Sequence, residues 1–314
     1  MAFIPSPTYS RKTWKDGSSG ATPITAASLN NIEAGIADSV SAAQATAAEA
    51  AYGHYEGRAL TQLLASEIGS GTVYDALHKR ISAGNYSGLR VGDYMDEPLT
   101  ATAGVTSQTS VRARIAHFDP YYQCGDNAKP HHIAFVTDAI AVAADAVGVA
   151  NGSYLMWNTT NTNQGTADEK HPYLASNLKK WEKLLEGCMP AGLMKYVLTQ
   201  RVLLEERYSA SGALDDSNSW SWADIGKLWS LSETEVYGQR VWGTQGYSVG
   251  FDCQFDYFKD TWHRLPGGSR VGWWLRSVGG GSPSNVCGVN GDGDANYYAA
   301  TRDWLRPRVG FLLG

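Results

Sequence analysis

Val111-Arg-Ala-Arg-Ile-Ala-His-Phe118 decides the fold class. Its apolar and polar side chains alternate with period two, which predicts a strand with one face turned to a core. His132-Ile-Ala-Phe-Val136 continues the pattern downstream, and Leu89-Arg-Val-Gly-Asp93 reads as a strand upstream of it. Gly, Asp and Pro turns lie between these runs. Further strand-like runs come at residues 196–203, 271–275 and 308–313. Between them, Ser176 precedes Leu178, Trp181, Leu184 and Leu185, and Gly187 follows, which predicts a capped amphipathic helix ended by glycine. Short strands, few helices and long polar loops define an α+β domain.

The N-terminal region is built differently. From Lys15 to Ala51 there is no aromatic residue, and 11 Ala fall between Ala26 and Ala51. Thr25 or Ser28 can cap a helix whose apolar positions Leu29, Ile32, Ile36, Val40, Ala43 and Ala47 form one narrow face. Such a seam is too thin to build a core alone. It fits either a monomeric Ala-rich linker or a helix packed on copies of itself, and we expect the second, a homotrimeric coiled-coil stalk. Leu60, Leu63, Leu64 and Ile68, then a break at Gly69–Gly71, then Val73, Leu77 and Ile81 read as a kinked helical connector. The expected organisation is an extended attachment arm over 1–21, a helical stalk and connector over 22–80, and the α+β domain over 81–314.

The formal charge of −5 excludes a chain-wide basic surface for nucleic acid. No apolar run has the length and purity of a membrane span or of a signal-peptide core, so no membrane insertion is expected. Cys124, Cys188, Cys253 and Cys287 form no close pair, which speaks against a zinc knuckle or a redox motif. The aromatic set is unusual: 11 Trp and 17 Tyr accompany 7 Phe. Ten of the Trp lie at or after Trp157, so the large rings with polar tips belong to the α+β domain, where they can pin loops in place of disulfides.

Two resemblances extend this reading. Lys12-Thr-Trp-Lys-Asp-Gly17, followed by Thr22-Pro-Ile-Thr-Ala-Ala-Ser-Leu-Asn-Asn-Ile-Glu33 and Gly35-Ile36, resembles the N-terminus of phage tail fibre and baseplate proteins, about a tenth of the chain. That resemblance implies a virion attachment segment that joins other tail or baseplate proteins. From about Ile81 onward, an ordered set is similar to the C-type-lectin-like module of phage tail proteins. The set is Gly88-Leu-Arg-Val-Gly-Asp, His131-His-Ile-Ala-Phe-Val, Trp157-Asn-Thr-Thr-Asn-Thr, Leu228-Trp-Ser-Leu-Ser-Glu-Thr-Glu-Val-Tyr-Gly238, Trp273-Trp-Leu-Arg-Ser and Arg306-Pro-Arg-Val-Gly-Phe. The same fold carries the variable receptor-binding proteins of diversity-generating retroelements, of the major tropism determinant kind. The resemblance implies a tail protein of the virion that binds a host-cell surface receptor, protein or glycan, through C-terminal loops.

Gly279–Asp303 is where such a protein would vary. This interval holds no Lys, Glu, Gln, Met or Trp, the five types that adenine mutagenesis of AAY codons does not reach in that family. A plain glycine-rich turn region would also favour small residues. The expected receptor-binding side chains are Ser282, Asn285, Asn290, Asp292, Asp294, Asn296, Tyr297 and Tyr298, because Tyr and Asn combine contact area with adaptable hydrogen bonding. Trp273, Trp274 and Trp304 are expected as framework.

Chemistry-bearing alternatives are weaker. Gly291-Asp-Gly-Asp294 is shorter than a calcium loop and reads as an Asp/Gly turn, and no EPN, QPD or WND string is present. Adjacent His131 and His132 would point to opposite faces of a strand, so with His117 they read as structural. Asp215-Asp216 and Glu205-Glu206 read as solvated acids rather than a glycosidase pair. No GxSxG, HExxH or P-loop string appears. The lectin-like fold is shared with formylglycine-generating enzymes, but neither Cys253 nor Cys287 lies in a matching context. The expectation is a binding protein with no catalytic residue, metal or cofactor; a structural baseplate component and a cell-wall-active enzyme are the alternatives.

Overall fold

The computed structural model describes residues 25–52, 55–211, 219–244 and 251–314. The attachment arm, the Lys12–Gly17 string and Asp215-Asp216 lie outside the described residues. The chain divides into two compact units, Met1–Tyr55 and Glu56–Gly314. It is a mixed helix and sheet protein with an N-terminal helical part and a curled β half-barrel. Among the described residues no helix is long and apolar enough to cross a membrane.

In the first unit, one long helix, α1, runs Ala26–Tyr52. Thr25 starts it: its hydroxyl oxygen accepts the Ser28 N–H at 3.1 Å. Two of the seam residues stand open to solvent in the single chain, Ile32 at 57% and Ile36 at 44% exposure.

The described residues of the second unit form eleven strands: β1 (Tyr94–Pro98), β2 (Ser110–Phe118), β3 (Ile133–Thr137), β4 (Val197–Leu198), β5 (Gln200–Glu205), β6 (Trp220–Gly226), β7 (Trp229–Ser230), β8 (Trp273–Val278), β9 (Asn285–Val289), β10 (Ala295–Ala299) and β11 (Val309–Leu313). The largest sheet has the order β1-β2-β3-β11-β4, with β7 also pairing β11. All of these pairings are antiparallel. The last strand of the chain therefore lies mid-sheet, and β3 and β11 are buried at every position. Phe135 faces Phe311 across their register, with ring centroids 5.2 Å apart and nearly parallel planes. The alternation along Val111–Ile115 is kept until a register shift between Ile115 and His117, where Ala116 is buried out of turn.

Leu89–Asp93 is not a strand. The carboxylate of Asp93, fully buried, accepts the Arg58 backbone N–H at 3.0 Å, the Arg58 side chain at 2.8 and 3.1 Å and the Arg90 N–H at 2.9 Å. This side-chain network folds the segment into turns, and the strand starts one residue later at Tyr94.

The segment expected as a connector belongs to the globular core. Leu60, Leu64, Leu77 and Ile81 have no exposed surface. After the break, the helix Val73–Ser82 is started by a reciprocal capping box between Thr72 and Asp75. The helix Asn177–Leu185 is capped by Ser176, as its sequence predicts, although Leu184 faces solvent at 58%.

Buried indoles tie loops together. Trp157 donates to the Leu275 carbonyl at 3.2 Å, Trp274 to Leu155 at 2.6 Å, Trp181 to Val105 at 2.7 Å and Trp273 to Arg264 at 2.9 Å. Each ring both buries apolar area and satisfies a carbonyl. All four cysteines are free thiols.

Candidate functional site

Antiparallel β10-β9-β8 form a separate three-stranded sheet, and β10 is an outer strand of it. Strand alternation splits the two tyrosines of β10. Tyr297 is 42% exposed, whereas Tyr298 is 8% exposed and packs edge-on against Trp274 at 6.0 Å and Trp304 at 4.9 Å. Burial raises the Tyr298 hydroxyl above its ordinary pKa. Tyr298 is therefore framework, a correction to its expected display that follows from the period of two. Trp273 and Trp274 are buried as expected, while Trp304 remains 39% exposed.

The loop leading into β9 is held from below. The amide of buried Asn163 donates to the carbonyls of Asn285 at 2.6 Å and Ser282 at 2.8 Å, and Arg207 donates to those of Gly279 and Ser282, both at 3.1 Å. Ser282 and Asn290 use their side chains internally. The Ser282 hydroxyl oxygen accepts the N–H groups of Ser284 and Asn285 at 3.3 and 3.2 Å. The Asn290 amide oxygen accepts those of Asp292 and Asp294 at 2.8 and 3.0 Å, which closes the β9–β10 turn. Gly291 is required there, since a Cβ would stand 2.8 Å from the Arg270 carbonyl oxygen. Asn296 is half-buried, and its amide oxygen accepts the Tyr297 N–H at 2.8 Å.

Of the eight expected residues, Asp292, Asp294 and Tyr297 are exposed; Ser282, Asn285, Asn290 and Asn296 are half-buried. Asp292 forms an exposed ion pair with Arg270. Both partners are largely solvated, so the pair orients the turn more than it stabilises the fold.

Trp242 completes the surface, and its sequence context gives no sign of that role. It is 45% exposed, meets Tyr297 in a T-shaped contact at 4.7 Å, and donates its indole N–H to the Ala295 carbonyl at 3.1 Å. Its position is set by Glu233, whose buried carboxylate accepts the N–H groups of Val241 at 3.1 Å, Trp242 at 3.0 Å and Gly243 at 2.7 Å. Glu233 opens a short helix, Glu233–Tyr237, capped by a Ser232–Glu235 box and ended by Gly238 in the left-handed conformation. Glu235 is equally buried and pairs with Arg276 of β8 at 2.6 and 3.0 Å, with the Tyr121 hydroxyl donating to the same carboxylate. Arg276 also reaches Asp252 at 2.9 Å. Burial raises the Glu235 carboxyl against the opposing pull of Arg276. The Ser232-Glu-Thr-Glu235 string thus uses one acid to join its helix to β8 and the other to shape the Trp242 loop. The S-x-x-E spacing is the signal that could have marked this helix start, and no local signal marks the partners of the additional Glu.

The histidines take structural positions. His131 and His132 precede β3 and share Asp119: His131 Nδ1 lies 2.6 Å from one carboxylate oxygen, and the His132 N–H donates to the other at 2.6 Å. His132 is buried and His131 is not, and their rings stack on Tyr121 and Tyr122 respectively. The His117 Nδ1 accepts the Asp256 N–H at 3.1 Å. Burial lowers the pKa of both His117 and His132. Among the described residues no group of three or more His, Cys, Asp or Glu side chains stands where it would hold a metal ion. Burial pushes the Cys253 thiol up to about 11 and the Cys287 thiol well above its usual range, which favours the protonated thiol over the thiolate at neutral pH.

A family model described as a domain of unknown function, DUF6273, matches residues 211–313, about a third of the chain. That stretch contains the Ser232–Glu235 cap, the Trp242 loop and the whole β8-β9-β10 sheet. No curated protein and no solved structure matches the chain.

Proposed function

We propose that this chain is a phage tail protein that binds a host-cell surface receptor with the face built from Trp242, Tyr297 and the Asp292–Asp294 turn. In this reading the second unit is a C-type-lectin-like module, and α1 is a trimeric stalk that connects it to the virion. One observation carries the receptor reading: two exposed aromatic rings meet edge to face beside a polar turn, on a sheet whose other side is locked by buried Trp and Tyr. Rigid mounting lets a binding surface lose little entropy on contact, and Tyr and Trp give large contact area for few rotatable bonds. The exposed Ile32 and Ile36 support the stalk, because self-association would cover them. Three copies would raise a weak single contact to useful avidity.

The test is adsorption of the fluorescently labelled full chain to host cells. Saturable binding that is lost in Trp242→Ala and Tyr297→Ala, with melting temperature unchanged, supports the reading. Absence of binding to any host cell, together with tight association with other tail proteins through the same two residues, would replace it with a structural baseplate role.

A further inference from the structure

We propose a second binding site, for a pyranose sugar unit, in a groove of about 520 Å³ between two histidine–tyrosine stacks. Tyr196 lies on His78 with centroids 4.3 Å apart and planes 20° apart; Tyr122 lies on His131 at 4.0 Å and 6°. All four rings line the same groove. This groove and the β8-β9-β10 face share no residue, so the inference does not rest on the receptor reading.

Polar tethers fix each stack. His78 Nδ1 is 2.6 Å from the Gly314 carbonyl oxygen, and His131 Nδ1 is 2.6 Å from Asp119. The Tyr196 hydroxyl donates to Asp75 at 2.7 Å and accepts from Lys195 at 2.8 Å. Gly84 leaves room for the His131 ring, since a Cβ there would come within 2.9 Å of Nε2. Tyr122, held in this way, presents a preformed, exposed ring surface at little ordering cost. Tyr196 is stacked on His78 and has the Lys195 ammonium over its ring, 4.5 Å from the centroid, so the apolar face the groove offers a ligand is that of Tyr122.

The chemistry selects the ligand class. A pyranose carries C–H bonds on its faces and hydroxyls around its rim, so it can cover a tyrosine ring while keeping its oxygens near polar groups. The groove supplies such groups in the exposed Lys195 and Gln123 side chains and the Gly314 carbonyl. The Lys195 ammonium disfavours a quaternary ammonium, which aromatic cages otherwise hold well. Among the described residues that line the groove, Lys195 is the one Lys or Arg side chain, too little for a phosphate-rich chain, which needs several. Lys195 does admit a carboxylated sugar alongside neutral ones.

Saturation-transfer-difference NMR on the full chain tests this with four probes: chitotriose, mannotriose, galactotriose and trigalacturonic acid. Transfer to the ring C–H protons of at least one probe is expected. It should fall at least fivefold in Tyr122→Ala, whose ring is already 40% exposed and whose loss should leave the fold intact. It should persist in Trp242→Ala, which separates this site from the receptor face. Lys195→Met is a second variant at an exposed position; it should weaken the acidic probe and spare the neutral ones. No transfer to any of the four probes, or transfer undiminished in Tyr122→Ala, would overturn the proposal.

Discussion

The carboxylate of Glu233 accepts the backbone N–H of Trp242 at 3.0 Å, inside a cradle that also takes the N–H groups of Val241 and Gly243. A buried acid thereby places an exposed indole. Glu233→Ala would leave three backbone donors without their acceptor and should cost about 2–4 kcal/mol, read as a lower urea midpoint. Because the loop then loses its shape, adsorption should fall more steeply than stability. Glu233→Gln keeps one acceptor oxygen and should lie between the two, and equal loss in both variants would show that charge, not geometry, holds the loop.

Tyr297 and Tyr298 should separate binding from folding. Tyr297→Ala removes an exposed ring and should change stability by less than about 1 kcal/mol while reducing adsorption roughly tenfold or more. Tyr298→Ala opens a cavity beside Trp274 and should cost about 3–5 kcal/mol. Thermal melts of the two variants would check this, and similar melting temperatures would contradict the burial difference between the faces.

Local pattern made part of this molecule legible. Period-two alternation located β2, the run Ile133-Ala-Phe-Val136 located β3 although that strand is buried on both faces rather than alternating, and Ser176 and Thr25 marked helix starts, because these features depend on near neighbours in sequence. Leu89–Asp93 misled because its fold depends on Arg58, 35 residues from Asp93. Leu60–Ile81 showed its apolar face but not what covered it, so a core segment read as a connector. At the site, Gly279–Asp303 did fall on one hairpin and its flanks. Tyr297 and Tyr298 are neighbours on a strand, so a period of two by itself sends one ring outward and the other inward. Trp242 was hidden because its placement comes from Glu233 and its neighbour Tyr297 lies 55 residues further on.

Glu97 should make stability depend on pH. Its side chain is fully buried, Tyr74 donates to it at 2.6 Å, and desolvation raises its pKa from about 4.5 to about 7, with the Tyr74 hydrogen bond opposing. Between those values the folded chain holds a proton that the unfolded chain releases. The contribution is therefore fully present below about pH 4.5 and is lost as pH rises through about 7, by at most about 3 kcal/mol. His117 and His132, lowered by burial, act in the opposite sense, since protonation of the unfolded chain lowers stability as pH falls below about 6.5. Urea midpoints of wild type and Glu97→Gln across this range cancel the histidine contribution; their difference should grow in favour of the variant as pH rises, and parallel curves would contradict the assignment.

The boundary of the globular unit can be tested by truncation. A fragment starting at Glu56 keeps Leu60, Leu64, Leu77 and Ile81 in the core, whereas one starting at Ile81 removes most of that layer. Each fully buried Leu is worth roughly 2–3 kcal/mol, and the loss of three exceeds much of the stability of an ordinary domain. The 56–314 fragment should melt cooperatively near the full-length temperature, and the 81–314 fragment should be insoluble or lack a cooperative transition. Equal melting of both fragments would return 60–80 to a connector role.

Ile32 and Ile36 carry the last prediction. They sit four residues apart on α1, so they share one face, and both are exposed in the single chain. A helix with an open isoleucine pair gains most by packing that pair against the same pair on other copies. Sedimentation equilibrium of the full chain should give three times the chain mass. Ile32→Asn with Ile36→Asn places amides in the seam and should shift the distribution to monomer without altering the melting of the 56–314 unit. Adsorption should then weaken by the lost avidity although the Trp242–Tyr297 face is untouched. A wild-type monomer would remove the stalk from the proposal while leaving the receptor face to stand or fall on its own variants.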